Sequence, residues 1–206
     1  MSVQDRPQAA AGAVPPAVLA AVRAAEPGAR HRGRPLVVGI DGRSGAGKSA
    51  LAAALVDVLA RDRPRTGAVG LLALEDAYRG WDGLAAGLAE VADGVLGPLR
   101  RGRPGRYRAY DWHAGRVDGV RAVPPPGTPV PEVLVVEGCG AGSAVLAPSV
   151  DVLVWLEAPE PVRHRRALER DGGTWAHRWD GWAAQEQALL DERDARAAAD
   201  VVVATG

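Results

Sequence analysis

Gly42-Arg43-Ser44-Gly45-Ala46-Gly47-Lys48-Ser49 reads G-x-x-x-x-G-K-S, the pattern of a loop that curls its backbone around phosphate groups. Residues 35–41 precede it as a short apolar run that ends on Asp41, which reads as a buried strand. After it, Leu51, Leu55, Val58 and Leu59 recur at helical spacing, which predicts an amphipathic helix. The strand–loop–helix setting that the motif needs is therefore present. Glycines let successive N–H groups point at phosphate oxygens, and the helix N-terminus adds partial positive charge. Gly42, Arg43, Ser44, Gly45, Ala46, Gly47, Lys48, Ser49 and the following Ala50 form the expected nucleotide cradle. Lys48 is the only lysine among 25 basic residues. A chain that writes every other cation as arginine keeps one compact ammonium where a point charge must fit between phosphates. The reading implies a bound nucleoside triphosphate, with the Ser49 hydroxyl on Mg2+.

The 206 residues suit one α/β domain with a full core. Net charge is zero, so no overall field draws the chain to nucleic acid or to anionic membrane. The single Cys139 excludes an internal disulfide and fits a reducing compartment. No apolar run reaches the ~18 residues of a membrane span, and no secretory pattern opens the chain. A cytoplasmic enzyme with no membrane partner is expected, and a homo-oligomer is left open.

Residues 1–14 read as a frayed end, 16–25 as a helix, and 26–34 as a loop. Together, 1–34 are set apart as a flexible segment and helix before a nucleotide-binding domain at 35–206. Residues 68–74 read as a second strand, which ends on Glu75 and Asp76. Acids at a strand's C-terminal end lie where open α/β sheets bind ligands. A turn at 79–83 leads to a helix with Leu84, Leu88, Val91 and Val95 on one face. Residues 100–110 carry five arginines and two tyrosines, read as a substrate or phosphate loop in preference to a nucleic-acid patch. Asp111, His113 and Arg116 follow at once. Residues 133–136 read as a third strand ending at Glu137, where proteins with this loop place an acid for Mg2+. Strands at 150–156 and 200–204 complete five. Between them lies a helix at 161–170, with Arg163, Arg166 and Arg170 on one face, and Trp175, Trp179 and Trp182 follow as a packing stripe. The three guanidiniums repel one another unless an anion sits opposite, and triphosphate would serve. The expected fold is a three-layer α/β/α P-loop NTPase with a five-stranded parallel sheet and a lid around 161–182.

These stretches resemble uridine kinases and their phosphoribulokinase and pantothenate kinase relatives. Gly39-Ile40-Asp41-Gly42 through Ser49 looks like the family's opening, and Glu75-Asp76-Ala77-Tyr78 stands where it carries Asp-x-Phe-Tyr. Tyr110-Asp111 with His113 and Arg116 is similar to its substrate stretch, and Val135-Val136-Glu137-Gly138 to its Val-Glu-Gly strand end. Arg166 to Arg170-Asp171 resembles its lid, and Ala199-Asp200-Val201-Val202 its closing strand. The likeness spans roughly 35–206. It implies ATP and Mg2+, with Ser49 and Glu137 as metal residues and Lys48, Arg166 and Arg170 carrying developing charge. The general base would be Glu75 by position, or its neighbour Asp76. Tyr78, Tyr110, Asp111, His113 and Arg116 would hold the acceptor. Ala77 in place of the motif's aromatic residue, and a Tyr-Asp to Arg spacing one residue tighter, bear on acceptor choice rather than on ATP chemistry.

A GTPase is excluded, since its guanine-selecting motif needs Asn and the chain has none. The leading expectation is an ATP-dependent kinase acting on a hydroxyl of a nucleoside-like small molecule, uridine or cytidine first. The alternative is an ATP-binding regulatory or chaperone-like module without phosphotransfer, and a nucleic-acid enzyme using the 100–110 arginines comes third.

Overall fold

Six consecutive residues of β1 (Leu36–Asp41) are buried, so the strand that feeds the glycine loop has both faces covered and lies inside a sheet. A computed structural model describes residues 13–63, 65–171 and 176–206, apart from the side chains of Arg170 and Asp171. Around β1 stand β2 (Val69–Ala73), β5 (Val133–Glu137), β6 (Val152–Glu157) and β7 (Val201–Ala204), in the order β2-β5-β1-β6-β7. Every pairing in this sheet is parallel. The five strands are those expected from the apolar runs.

Period-two alternation divides the core. Leu36, Val38 and Ile40 of β1 join Val133, Val135, Val152 and Val154 on one face, packed under α1 (Pro16–His31) and α2 (Lys48–Arg61). Val37, Leu134 and Val136 face the other way, against α3 (Leu84–Val91) and Trp182 of α6 (Trp179–Glu192). The result is the three-layer α/β/α sandwich, each buried Leu or Val stabilising it by about 1.5–3 kcal/mol. Leu84, Leu88, Val91 and Val95 are all fully buried, as their spacing requires. A π-helical turn at Ala92–Leu96 carries α3 into the short α4 (Gly97–Leu99).

Two readings of the sequence change. The first helix does not stop near residue 25. It runs to His31 through Pro27 and Gly28, and Val18, Val22 and Ala29 are buried in the same core as β1 and α2. The helix is thus part of the body at 35–206, while residues 1–12 lie outside the described residues. Residues 100–110 are not a loop throughout, for β3 (Gly105–Asp111) pairs antiparallel with β4 (Arg116–Val123) as a separate two-stranded sheet. Gly105, Tyr107 and Ala109 turn inward while Arg106 and Arg108 face solvent. Trp175 lies outside the described residues, whereas Trp179 and Trp182 are buried as a packing stripe should be. Among the described residues, no helix is long and apolar enough to cross a membrane.

Asp151 fastens the start of β6 to the start of β1. Arg34 donates to both of its oxygens, at 2.6 and 2.8 Å, Arg32 adds a bond at 2.9 Å, and the Val37 N–H another at 2.9 Å. Burial alone would raise the carboxyl pKa. The Arg34 bond, the Val37 N–H and the two guanidinium charges outweigh it and hold the group below 3.8. A carboxylate held down in this way contributes stability that is complete above about pH 4 and lost as pH falls through the folded value. Asp151→Asn is therefore expected to cost about 1–2 kcal/mol near neutral pH, with the difference from wild type shrinking below pH 4 in denaturant titrations. An equal difference at both pH values would contradict this role.

Candidate functional site

The P-loop leaves β1 at Asp41, whose carboxylate is 3 % exposed. It accepts the N–H of Gly42 at 2.7 Å, of Gly140 at 2.9 Å and of Gly142 at 2.7 Å. Three backbone donors on one buried acid tie the loop after β1 to the loop after β5. Burial raises the Asp41 pKa above its usual value against the pull of those bonds and of Lys48. The loop then turns through Gly45 at φ 79° and Gly47 at φ 95°, left-handed conformations that only glycine adopts without strain. At Gly45 a Cβ would also stand 2.1 Å from the Arg163 carbonyl oxygen. Gly47 caps α2 with no side-chain hydrogen bond to its first turn, which leaves those N–H groups to an anion.

Lys48 is 8 % exposed, and its ammonium donates to the carbonyls of Gly42 at 2.7 Å and Arg43 at 3.2 Å and to Cys139 Sγ at 3.3 Å. Burial alone would lower its pKa, but the Cys139 sulfur and the carboxylates of Glu186, Asp41 and Glu137 raise it, so the amine is charged. Ser49 Oγ donates to Glu137 Oε1 at 3.0 Å. This hydroxyl and carboxylate at the helix start fit Mg2+, which takes few protein ligands and completes its shell with phosphate and water. No cluster of three or more His, Cys, Asp or Glu that could cage a metal occurs among the described residues. The nucleotide and metal residues thus fit the groups that the sequence implied.

Above the loop opens a cleft of about 1090 Å3, lined by Ser44, Gly45, Gly47, Lys48, Ser49, Ala50, Glu75 and Glu137 on its floor. Gly42, Arg43 and Ala46 stay outside the lining, and Arg43 points its side chain to α6. Glu75 and Asp76, equivalent in the sequence, part company. Glu75 is exposed in the cleft, while Asp76 stays outside the lining and accepts from Arg121, itself a lining residue, at 2.6 Å and from Tyr107 at 3.4 Å.

The upper wall is aromatic. Trp81 meets Trp112 edge-on at 5.1 Å and Trp182 at 6.0 Å, Tyr110 meets Trp112 at 5.2 Å, and Tyr78 leans on Trp182 at 5.3 Å. Trp112 also donates to the Glu75 carbonyl at 3.1 Å, tying the β3–β4 hairpin to the β2 strand end. The Tyr78 hydroxyl is committed to the Cys139 carbonyl at 2.8 Å, so it contributes ring surface to the wall. Tyr110, Asp111 and His113 line the cleft, whereas Arg116, on the exposed start of β4, does not. Asp111 Oδ1 accepts the N–H groups of His113 at 2.8 Å and Ala114 at 2.9 Å, which shapes the hairpin turn. The Ala114 bond is the main cause that holds the Asp111 pKa below its usual value.

The arginine row on α5 (Glu160–Asp171) separates as well. Arg163 is buried and donates to the carbonyls of Ser44 at 3.1 Å and Ala158 at 3.2 Å, with its guanidinium 5.8 Å from the Trp179 ring centre. Backbone oxygens accept its hydrogens, and the Glu186 and Glu160 carboxylates act on its charge. Arg166 lines the cleft and reaches Thr205 Oγ1 at 3.4 Å and the Gly206 carbonyl at 3.0 Å. Arg170 lies in the last turn of the helix, and its side chain lies outside the described residues. Sequence reasoning missed Trp81, Trp112, Asp118, Arg121, His177 and Arg178, all of which line the cleft. Trp81 and Trp112 adjoin stretches already singled out, but nothing in their spacing announced that they would meet.

No protein-family model matches the sequence, and no curated protein does. The structure is similar to that of a possible uridine kinase from Bacillus stearothermophilus, at TM-score 0.58 and 19 % identity, over 82 % of this chain and 89 % of that one. It also matches a candidate fructose transport system kinase from Silicibacter sp. TM1040, at TM-score 0.49 and 19 % identity, over 88 % and 98 % of the two chains. The first likeness establishes a common fold, the three-layer α/β/α sandwich around a parallel sheet.

Cys139 sits where the cleft floor meets the loop. Burial, against the opposing charge of Lys48, pushes its thiol up to about 12. At pH 8 roughly one thiol in ten thousand is then ionised. Native protein is expected to resist iodoacetamide at pH 8 and to be alkylated at one site after unfolding in guanidinium. Rapid labelling of the native chain would contradict the burial described here.

Proposed function

We propose that the chain is an ATP-dependent kinase that transfers the γ-phosphoryl group to a hydroxyl of a nucleoside-like small molecule, with pyrimidine nucleosides the first acceptors to test. One observation carries the reading: the P-loop ammonium, a Ser–Glu metal pair, an exposed carboxylate and an aromatic wall line a single cleft. A nucleotide switch needs the first two. A kinase needs all four, because the acceptor must be held and its hydroxyl aimed.

Mg·ATP would supply the phosphoryl group and the metal charge, with the metal held by Ser49 and Glu137. Lys48 keeps its ammonium at the loop mouth through two carbonyls. The aromatic wall of Trp81, Trp112, Tyr110 and Trp182 receives the flat part of the acceptor by stacking and edge contact. Glu75 takes the proton from the acceptor hydroxyl as that oxygen bonds to phosphorus and the bridging oxygen leaves with ADP. Asp76 braces Arg121 beside it. Arg166 stands at the cleft edge, within reach of developing negative charge.

ADP release from Mg·ATP, measured across pyrimidine and purine nucleosides, nicotinamide riboside, pantothenate and sugar phosphates, tests the reading. Turnover is expected with one acceptor class. Lys48→Ala should abolish it, and Glu75→Gln should lower kcat by about 100-fold or more. Loss in Asp76→Asn with survival in Glu75→Gln would move the base to Asp76. Nucleotide binding without acceptor-dependent turnover would sink the kinase and leave a binding module.

A further inference from the structure

Glu186 is a buried acid that phosphoryl transfer does not call for. It lies on α6 one turn beyond Trp182, is 4 % exposed, and stands behind the P-loop rather than in the cleft lining. Both oxygens are taken. Oε1 accepts the Ser44 N–H at 2.8 Å, the Trp182 indole N–H at 3.0 Å and the Cys139 thiol at 3.1 Å, and Oε2 accepts Arg43 Nε–H at 3.1 Å. The Arg43 guanidinium continues to the Ala183 carbonyl at 2.8 Å and to Gln187 Oε1 at 3.3 Å. Residues 183, 186 and 187 share one face of α6, and together they grip the first turn of the P-loop.

The charges form one set. Burial raises the Glu186 pKa, but Lys48, the Cys139 thiol, the Ser44 N–H and Arg43 together bring it below its usual value. Cys139 bridges the two ends, since it donates to Glu186 and accepts from Lys48. A buried carboxylate is a poor way to fill space, because an apolar side chain of like volume stabilises a core as well or better. What it supplies is direction, as two donors of the phosphate loop and, through sulfur, the loop ammonium are held against one rigid helix.

We propose that Glu186 is a positioning residue for nucleotide binding, which acts through Ser44, Arg43 and the Cys139–Lys48 contact to keep the P-loop in its phosphate-receiving shape. The proposal rests on the nucleotide site described under Proposed function but needs no turnover. Calorimetric titration of Mg·ATP into wild type, Glu186→Gln, Arg43→Met and the double variant, each well below its own Tm, tests it. Glu186→Gln keeps the shape but removes the charge and sets an NH2 donor against either Ser44 or Arg43. Its Kd is expected to rise about tenfold, which is about 1.4 kcal/mol, with Arg43→Met giving a several-fold rise. The double variant should be no weaker than the poorer single one, since the two residues act as a unit. A purely structural Glu186 would lower Tm and leave Kd within twofold of wild type, and that result overturns the proposal, as would additive losses. If Glu186→Gln does not fold, Arg43→Met carries the test, and an unchanged Kd there overturns it too. Failure of the wild type to bind Mg·ATP would instead remove the nucleotide site itself.

Discussion

An ammonium buried beside a loop of backbone dipoles must be compensated, and the centre of this molecule is arranged around that requirement. Isolated, a buried Lys48 would shed its proton. It stays charged because two P-loop carbonyls and Cys139 accept its hydrogens, while Asp41, Glu137 and Glu186 stand close enough to raise its pKa. Each of these groups comes from a different element. Asp41 ends β1, Glu137 ends β5, and Glu186 lies on α6. The sheet order that sets β5 beside β1 is therefore also what assembles the charge set.

The same economy governs the half of the cleft proposed to hold the acceptor. The β3–β4 hairpin packs through Tyr107 and Ala109, is linked to the body by Asp76–Arg121 and by Arg108–Glu90, and brings Trp112 over the Glu75 strand end. α6 closes the opposite side with Trp182, whose ring faces the aromatic wall and whose N–H bonds to Glu186. One helix thus touches both halves of the cleft. The proposed phosphoryl transfer would ask little covalent chemistry of the protein and much positioning, which a rigid helix shared by the two sites would supply.

The sheet was legible in the sequence because its strands are continuous apolar runs with turn residues on either side, and the P-loop because glycine positions and a lone lysine leave few alternatives. The hairpin was hidden by composition. Its inward residues are only Gly105, Tyr107 and Ala109, and the arginines between them read as a basic patch. The first helix reads as ending at residue 25, but burial of Val22 and Ala29 in the core carries it through Pro27 and Gly28 against local propensity. Position in the motif favours Glu75 as the base but leaves its neighbour Asp76 open. Only Arg121 and Tyr107, far along the chain, set Asp76 apart by engaging its carboxylate. Glu186 was invisible for a similar reason, since a glutamate on a polar helix carries no mark of the loop it will meet. Long-range pairing of charge is the part of a site that a local pattern does not record.

The most direct test of the account is a crystal structure with Mg·ADP, aluminium fluoride and an acceptor found by turnover. The account predicts the fluoride over the P-loop beside Lys48, the metal between Ser49 and Glu137, and the acceptor against Trp81 and Trp112 with its hydroxyl at Glu75. An acceptor lodged away from the aromatic wall, or a hydroxyl turned from Glu75, would contradict it.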